Sequence, residues 1–236
     1  MNIDNQLIVI NTPKNNKFLA VVDIKKEFTT NEGNFAFSQI KNIPSLVKTS
    51  TGINFKIYKP SYKEFVLLMK RGPQIIYPKD VAQIVLESNI HNSSKVLEIG
   101  SGSGALTLYL YTFLKNTGKL YSLDSSKLNQ RRADKTISRY ISTLSEKNND
   151  INFLNEELVN FDYKILNEEI DSIITDVPEP WEFFVNNKIQ NSIHWVSYLP
   201  SMTQVMKMNN ILNDNNFQDI EIKEIILRDW VVDEKI

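Results

Sequence analysis

Three carboxylates stand where apolar runs end: Glu98 near the close of Lys95 to Ile99, Asp124 after Leu120 to Leu123, and Asp176 after Ile170 to Thr175. Between the first two lie Gly100, Ser101, Gly102, Ser103 and Gly104, so every second residue of this loop lacks a side chain. Glycines at alternate positions let a backbone approach a ligand closely with its amides pointing inward. A carboxylate can hold a cation or accept from paired hydroxyls, so the set fits a nucleotide-like ligand with its ribose at Asp124. Holding these groups in place takes a short strand, the loop, a helix over Ala105 to Leu114 and a second strand ending at Asp124, which is one βαβ unit.

Glycine spacing alone does not choose the ligand. A dinucleotide fingerprint would put its third glycine at Ala105, a permitted substitute, so a nicotinamide cofactor fits the spacing. Glu98, on the strand just before the loop, tilts the choice to S-adenosylmethionine, whose methionine end is cationic. Each acid also has a structural reading. Glu98 can be a satisfied polar group under the loop, Asp124 the N-cap of the helix that follows Ser125 and Ser126, and Asp176 an ordinary turn cap. For Asp176 the functional reading is favoured, because strand position, the rigid Pro178 and Pro180 and the neighbouring Trp181 coincide. Glu157, just beyond a strand over Ile151 to Leu154, reaches the same crevice in a doubly wound sheet and can accept from an adenine amino group.

The chain has 236 residues, 42% of them hydrophobic and 23% charged, enough for one large domain or a large and a small one. It has no cysteine, and its two histidines, His91 and His194, are isolated, which excludes disulfides and thiolate nucleophiles and argues against a metal site. Met1 to Ile10 carries Asp4 and no basic leader, and no window approaches the roughly 20 apolar residues of a membrane span. A soluble, cytoplasmic protein without a membrane partner is therefore expected. A formal charge of −1 rules out a uniformly basic coat, while leaving room for a local phosphate-binding patch.

Residues 1–62 alternate apolar and polar positions between turn signals, with strands expected over Gln6 to Asn11, Lys17 to Asp23, Glu27 to Thr30, Phe35 to Phe37 and Gly52 to Tyr58. They read as a small β-barrel-like domain whose Lys14, Lys17, Lys25 and Lys26 either touch RNA or protect strand edges. Residues 63–236 form the larger domain. A helix over Pro60 to Lys70 leads into Arg71 to Asp80, where two prolines and a glycine hold an extended path, either along a ligand or as a linker. A helix carrying Lys127, Arg131, Lys135 and Arg139 on one stripe is either a solvated face or an RNA contact. Asn148 to Asp150 form a turn, and strands over Trp195 to Leu199 and Ile220 to Val232 flank a helix after Pro200.

Taken in order, Arg71 to Asp80, Glu98 to Gly104, Asp176 to Trp181 and Tyr198 to Val205 resemble the successive motifs of the tRNA adenine-N1 methyltransferases. These are class I S-adenosylmethionine-dependent enzymes that modify an adenine in the T-loop of tRNA. RGPQIIYPKD and DVPEPW carry the likeness more than the glycine loop does. The resemblance implies an α/β fold, a Rossmann-like class I methyltransferase sheet with a small N-terminal β domain. It implies Ile76, Ser103, Gly104, Ala105, Asp124, Glu157 and Asp176 around S-adenosylmethionine, beside Glu98, Gly100 and Gly102. It places Tyr77 and Asp176 at the target base as the catalytic pair, with tRNA as partner. Family members are homotetramers in prokaryotes and pairs of catalytic and non-catalytic subunits in eukaryotes, so a homo-oligomer is implied here.

Three departures bear on the expectation. Asp124 stands where glutamate is common, no glycine turn separates Trp181 from Trp195, and the chain stops at Ile236 where relatives continue into a last strand. A sheet lacking that strand is expected to have a gap or altered pairing, impairing stability, assembly or activity. The alternatives are a methyltransferase of the same fold acting on another substrate, and a non-catalytic subunit that binds RNA or a partner. A dehydrogenase ranks last, since DVPEPW has no job in hydride transfer.

Overall fold

Alternating side chains and asparagine-rich turns produce β1 (Leu7–Asn11), β2 (Lys17–Val21), β3 (Glu27–Thr30), β4 (Gly33–Ala36), β5 (Ser45–Lys48) and β6 (Asn54–Tyr58). In the computed structural model, which describes residues 3–69, 74–114, 118–142 and 151–230, β2-β1-β6-β5 form one antiparallel sheet and β3-β4 a hairpin. Their inward residues, among them Ile8, Ile10, Phe35, Phe55 and Ile57, make one core. β5 is absent from the sequence expectation for a physical reason: only Val47 of its four residues is buried and Leu46 faces out, so no alternation is visible. Phe37 leaves the β4 strand for a short 3₁₀ turn. Helix α1 (Tyr62–Leu68) starts at a capping box, in which Ser61 accepts from the Glu64 amide and Glu64 accepts from the Ser61 amide.

The chain divides into two compact units, one of Met1–Pro73 with Asp134–Lys147 and one of Gln74–Ala133 with Asn148–Ile236. The second holds β7 (Lys95–Ile99), β8 (Lys119–Leu123), β9 (Ile151–Leu154), β10 (Ser172–Thr175) and β11 (His194–Ser197) in a parallel sheet of order β11-β10-β7-β8-β9. Helices α2 (Pro78–Glu87), α3 (Ala105–Phe113), α4 (Lys127–Ile141), α5 (Phe183–Asn186) and α6 (Met202–Asp214) alternate with the strands except between β9 and β10, which a 3₁₀ turn over Tyr163–Leu166 joins, and the unit boundary falls inside α4. All four residues of β10 are buried, as a central strand in a covered sheet requires. Leu97, Ile99, Phe161, Ile173 and Phe183 share its core. At the amino ends of the strands Glu168 gathers Lys95 Nζ at 3.0 Å, Tyr121 Oη at 3.0 Å and Lys119 Nζ.

The strand order fixes where a ligand can sit. The chain leaves β7 for β8 and β9, then returns to β10 on the other side of β7, so the switch point lies between the carboxyl ends of β7 and β10. One expectation fails: residues 220–230 form no strand, and Ile222, Ile226, Leu227 and Trp230 are exposed. The alternation of Ile220 and Ile222 breaks at the consecutive Ile225, Ile226 and Leu227, which offers no single apolar face. Polar contacts hold the segment instead, from Lys223 Nζ to Glu87 at 2.6 Å and from Lys79 Nζ to the Ile225 carbonyl at 2.8 Å. Arg71 to Pro73, Asn148 to Asp150 and Val231 to Val232 lie outside the described residues. Among the described residues no helix is long and apolar enough to cross a membrane, and no group of three His, Asp or Glu side chains could hold a metal.

Candidate active site at the switch point

Two glycines close the strand ends together. Gly100 has φ of 105° and its amide donates to the Leu123 carbonyl at 2.7 Å; a Cβ on it would lie 2.4 Å from the Asp176 carbonyl oxygen. Only glycine lets the ends of β7 and β10 approach that closely. Gly104, with φ of 80°, caps α3, and a Cβ there would lie 2.7 Å from the Ala133 Cα. Between them the Gly102 amide points at the Asp124 carboxylate, 3.0 Å away. Ser103 and Ala105 are buried where the loop enters α3.

Glu98 is completely buried under this loop. It pairs in register with Ser122 of β8. Its Oε2 accepts from Ser122 Oγ at 2.6 Å and from Thr107 Oγ1 of α3 at 2.7 Å. Ser122 Oγ also lies 2.6 Å from Ser101 Oγ, so the hydroxyls run from the loop to the acid. The other oxygen, Oε1, is buried without a partner. Burial pushes this carboxyl up to about 7 against the two hydroxyl hydrogen bonds, with the nearby Asp176 and Asp124 charges adding to the rise. The structural reading is therefore half met: one oxygen is satisfied and the other lacks a donor. A cationic group beside Oε1 would restore the charged form.

Asp124 serves the fold and faces the crevice at once. The N-cap of α4 is Ser126, whose Oγ accepts from the Asn129 amide at 3.3 Å, and not Asp124 as the sequence allows. Asp124 Oδ1 accepts from the Ser126 amide at 2.8 Å in the turn before the helix, Oδ2 accepts from Gly102, and Asn129 Nδ2 lies 3.4 and 3.3 Å from the two oxygens. Asn155, after β9, donates to the Asp124 carbonyl at 2.7 Å and so ties the ends of β8 and β9 together. Glu157, two residues on, is exposed.

Asp176 closes the other wall. Its amide donates to the Ile99 carbonyl at 2.8 Å, the last rung between β10 and β7. Its half-buried carboxylate has no hydrogen-bond partner among the described residues, and burial pushes it up to about 6. Ile76 is buried, and Tyr77, 43% exposed, precedes Pro78 at the start of α2. Trp181 offers one face fewer to a ligand than its sequence position implies, because Lys207 Nζ lies 3.9 Å over its ring. Tyr198, absent from the sequence-derived site, follows β11; burial raises its hydroxyl, the charges of Asp80 and Asp176 add to the rise, and Lys79 opposes it. The sequence reading puts Tyr198 inside a strand over Trp195 to Leu199, whereas β11 ends at Ser197, so its place just past a strand is visible only in the fold.

The site thus gathers Glu98, Asp124 and Asp176 around a glycine loop at a switch point, a negative crevice that favours a cationic, ribose-bearing ligand. Residues 57–236 match the family described as the tRNA methyltransferase complex GCD14 subunit. The chain is 31% identical over 211 residues, covering 80% of it and 74% of the relative, to the tRNA (adenine(57)-N(1)/adenine(58)-N(1))-methyltransferase TrmI of Methanocaldococcus jannaschii. Among solved structures, the tRNA (m1A58) methyltransferase TrmI of Aquifex aeolicus superposes with a TM-score of 0.69 at 26% identity, over 90% of this chain and 82% of that one. A S-adenosylmethionine-dependent O-methyltransferase of Thermotoga maritima superposes with a TM-score of 0.85 over 97% and 84%; at 20% identity it speaks for the fold alone. With its Rossmann-like sheet, its switch-point acids and a match over most of its length, the chain belongs to the GCD14 family of tRNA methyltransferases.

Proposed function

We propose that this chain methylates N1 of an adenine in the T-loop of tRNA, with S-adenosylmethionine as methyl donor. The observation that carries the reading is the Asp176 carboxylate, half-buried and unpartnered one backbone contact away from the glycine loop. The residues present fit the donor: the orphaned, buried Glu98 Oε1 suits a cationic methionine end, and the Asp124 carboxylate, oriented by the Gly102 and Ser126 amides and acceptor-only, suits the ribose hydroxyls. Gly100, Gly102, Ser103, Gly104 and Ala105 would line its path, Ile76 its apolar side, and Glu157 its adenine amino group. Bound there, S-adenosylmethionine supplies an activated methyl group on a sulfonium.

The chain has little acid–base work to do, so its contribution is position. Holding the adenine N1 in line can supply roughly 7 to 11 kcal/mol in favourable cases. Asp176 accepts a hydrogen bond from the adenine N6 amino group, which fixes the base and raises electron density at N1, and it takes up a proton from the cationic product. Tyr77 stacks on the base, which must leave the folded tRNA to arrive. The reading extends to a homotetramer in the cytoplasm, resting on the family resemblance; light scattering on the purified chain tests the assembly. Unmodified tRNA incubated with the chain and labelled donor, then digested to nucleosides, should yield labelled N1-methyladenosine. Asp176→Ala should lower the rate by about 10²-fold while still binding donor. Label absent from the tRNA of the parent chain, or a parental rate in the variant, defeats the reading.

A further inference from the structure

Asp176 has no side-chain partner, so something else must aim it. The stretch after it is poor in hydrogen bonds: Pro178 and Pro180 have no amide proton, and Glu179 between them does not continue the sheet. The first turn of α6 supplies what the stretch lacks. Gln204 Nε2 donates to the Pro178 carbonyl at 2.9 Å. The Gln204 side chain is itself oriented by the helix cap, because Ser201 Oγ donates to its Oε1 at 2.8 Å while accepting from the Gln204 amide at 3.3 Å. One turn further along α6, Lys207 Nζ lies 3.9 Å over the Trp181 ring. The two contacts bracket Glu179 and Pro180, gripping the segment from both ends.

We infer that Gln204, oriented by Ser201, is a positioning residue that fixes the Asp176 to Trp181 segment and thereby the direction of the Asp176 carboxylate. The inference rests on the reading that Asp176 acts on the base. Its chemistry is specific. A carbonyl can only accept, so the amide must present its nitrogen to Pro178, and only a donor at Ser201 leaves Oε1 facing the cap. Displacements of about 1 Å far from the reacting atoms can cost 10²-fold in rate, so a loosened segment should reach catalysis without disturbing the donor site across the crevice.

Three variants of the full chain separate this role from a merely structural one. Gln204→Leu keeps length and helix propensity but removes both polar ends; kcat for tRNA methylation should fall at least tenfold, with donor affinity by calorimetry within about twofold of the parent. Ser201→Asp keeps a good helix cap but loses the proton that orients Oε1, so kcat should fall while thermal stability holds. The acid limb of the kcat/KM profile, expected near 6 in the parent because burial holds the Asp176 carboxyl up, should move to lower pH in Gln204→Leu as water reaches the carboxylate. Asp176→Asn is the control. If it is slow while Gln204→Leu keeps the parental kcat and acid limb, this inference is overturned and the reading of Asp176 stands; if Asp176→Asn is itself as fast as the parent, the reading fails first. A loss in Gln204→Leu shared equally by melting temperature, donor affinity and rate, or parental kcat in Ser201→Asp, also overturns it.

Discussion

Replacing Glu98 with glutamine should remove the loss of stability that the ligand-free chain suffers as the pH rises, and weaken its hold on the donor. The folded chain holds this carboxyl at about 7, against an ordinary value of 4.5, because burial outweighs the hydrogen bonds from Ser122 and Thr107. Between those values the folded chain binds the proton more tightly than the unfolded one. The protonated carboxyl therefore contributes stability that is fully present below about 4.5 and is lost as the pH rises through about 7. Integrated between pH 5 and pH 8, the loss is about 2.5 kcal/mol. Glutamine carries no such dependence. Its amide leaves one polar group unpaired where Oε1 lies, at a cost of about 1–3 kcal/mol, but that cost is the same at both pH values and cancels in the comparison.

The measurement is urea unfolding of parent and Glu98→Gln at pH 5 and pH 8 without ligand, read as the change in their difference. The variant should gain about 2.5 kcal/mol on the parent between the two conditions. The same variant should bind S-adenosylmethionine less tightly at pH 8, because a neutral amide cannot answer a cationic group. A stability difference that is constant with pH would refute the burial argument, and unchanged donor affinity would refute the assignment of Oε1 to the cationic end.

Other perturbations reach the neighbouring elements. Gly100→Ala must place a Cβ 2.4 Å from the Asp176 carbonyl at φ of 105°; it should destabilise the chain by at least about 2 kcal/mol and lower the methylation rate, checked by thermal melting and single-turnover assay. Phe55→Ala empties the centre of the N-terminal sheet, where the ring is fully buried; it should cost about 3–5 kcal/mol by urea titration. Because Asp176 is held at about 6, methylation should fall as the pH drops below that value, where the carboxyl is protonated and can no longer accept from the base.

Which parts of the site can be read from the chain alone follows from how far apart in sequence the interacting atoms lie. β7, β9 and the loop between Gly100 and Gly104 announce themselves, because apolar runs, glycines and a closing acid are neighbours in the chain. The acids at the ends of β8 and β10 follow by the same rule; Tyr198 does not, because the residue pattern places it inside a strand over Trp195 to Leu199 and β11 ends at Ser197. What an acid does there is another matter. That Glu98 has one satisfied and one orphaned oxygen depends on its register with Ser122 and on Thr107 lying over it from α3, neither of which a residue pattern states. Asp124 shows the converse: the sequence offers it as a helix cap, but that place falls to Ser126, and the two Asp124 oxygens accept instead from the Ser126 and Gly102 amides in the turn before α4. Periodicity misleads where it is local and unpaired. The run after Ile220 alternates for a few residues, yet a strand exists only through its neighbour, and the segment is held by Lys79 and Lys223 instead. Gln204 is the extreme case, since its partner Pro178 lies 26 residues away and neither residue looks chemical. The reacting groups are thus written locally, at strand ends, while the groups that aim them are written only in the fold; a substitution in the second class should change rate with little trace in ligand affinity, which is the behaviour expected of Gln204→Leu.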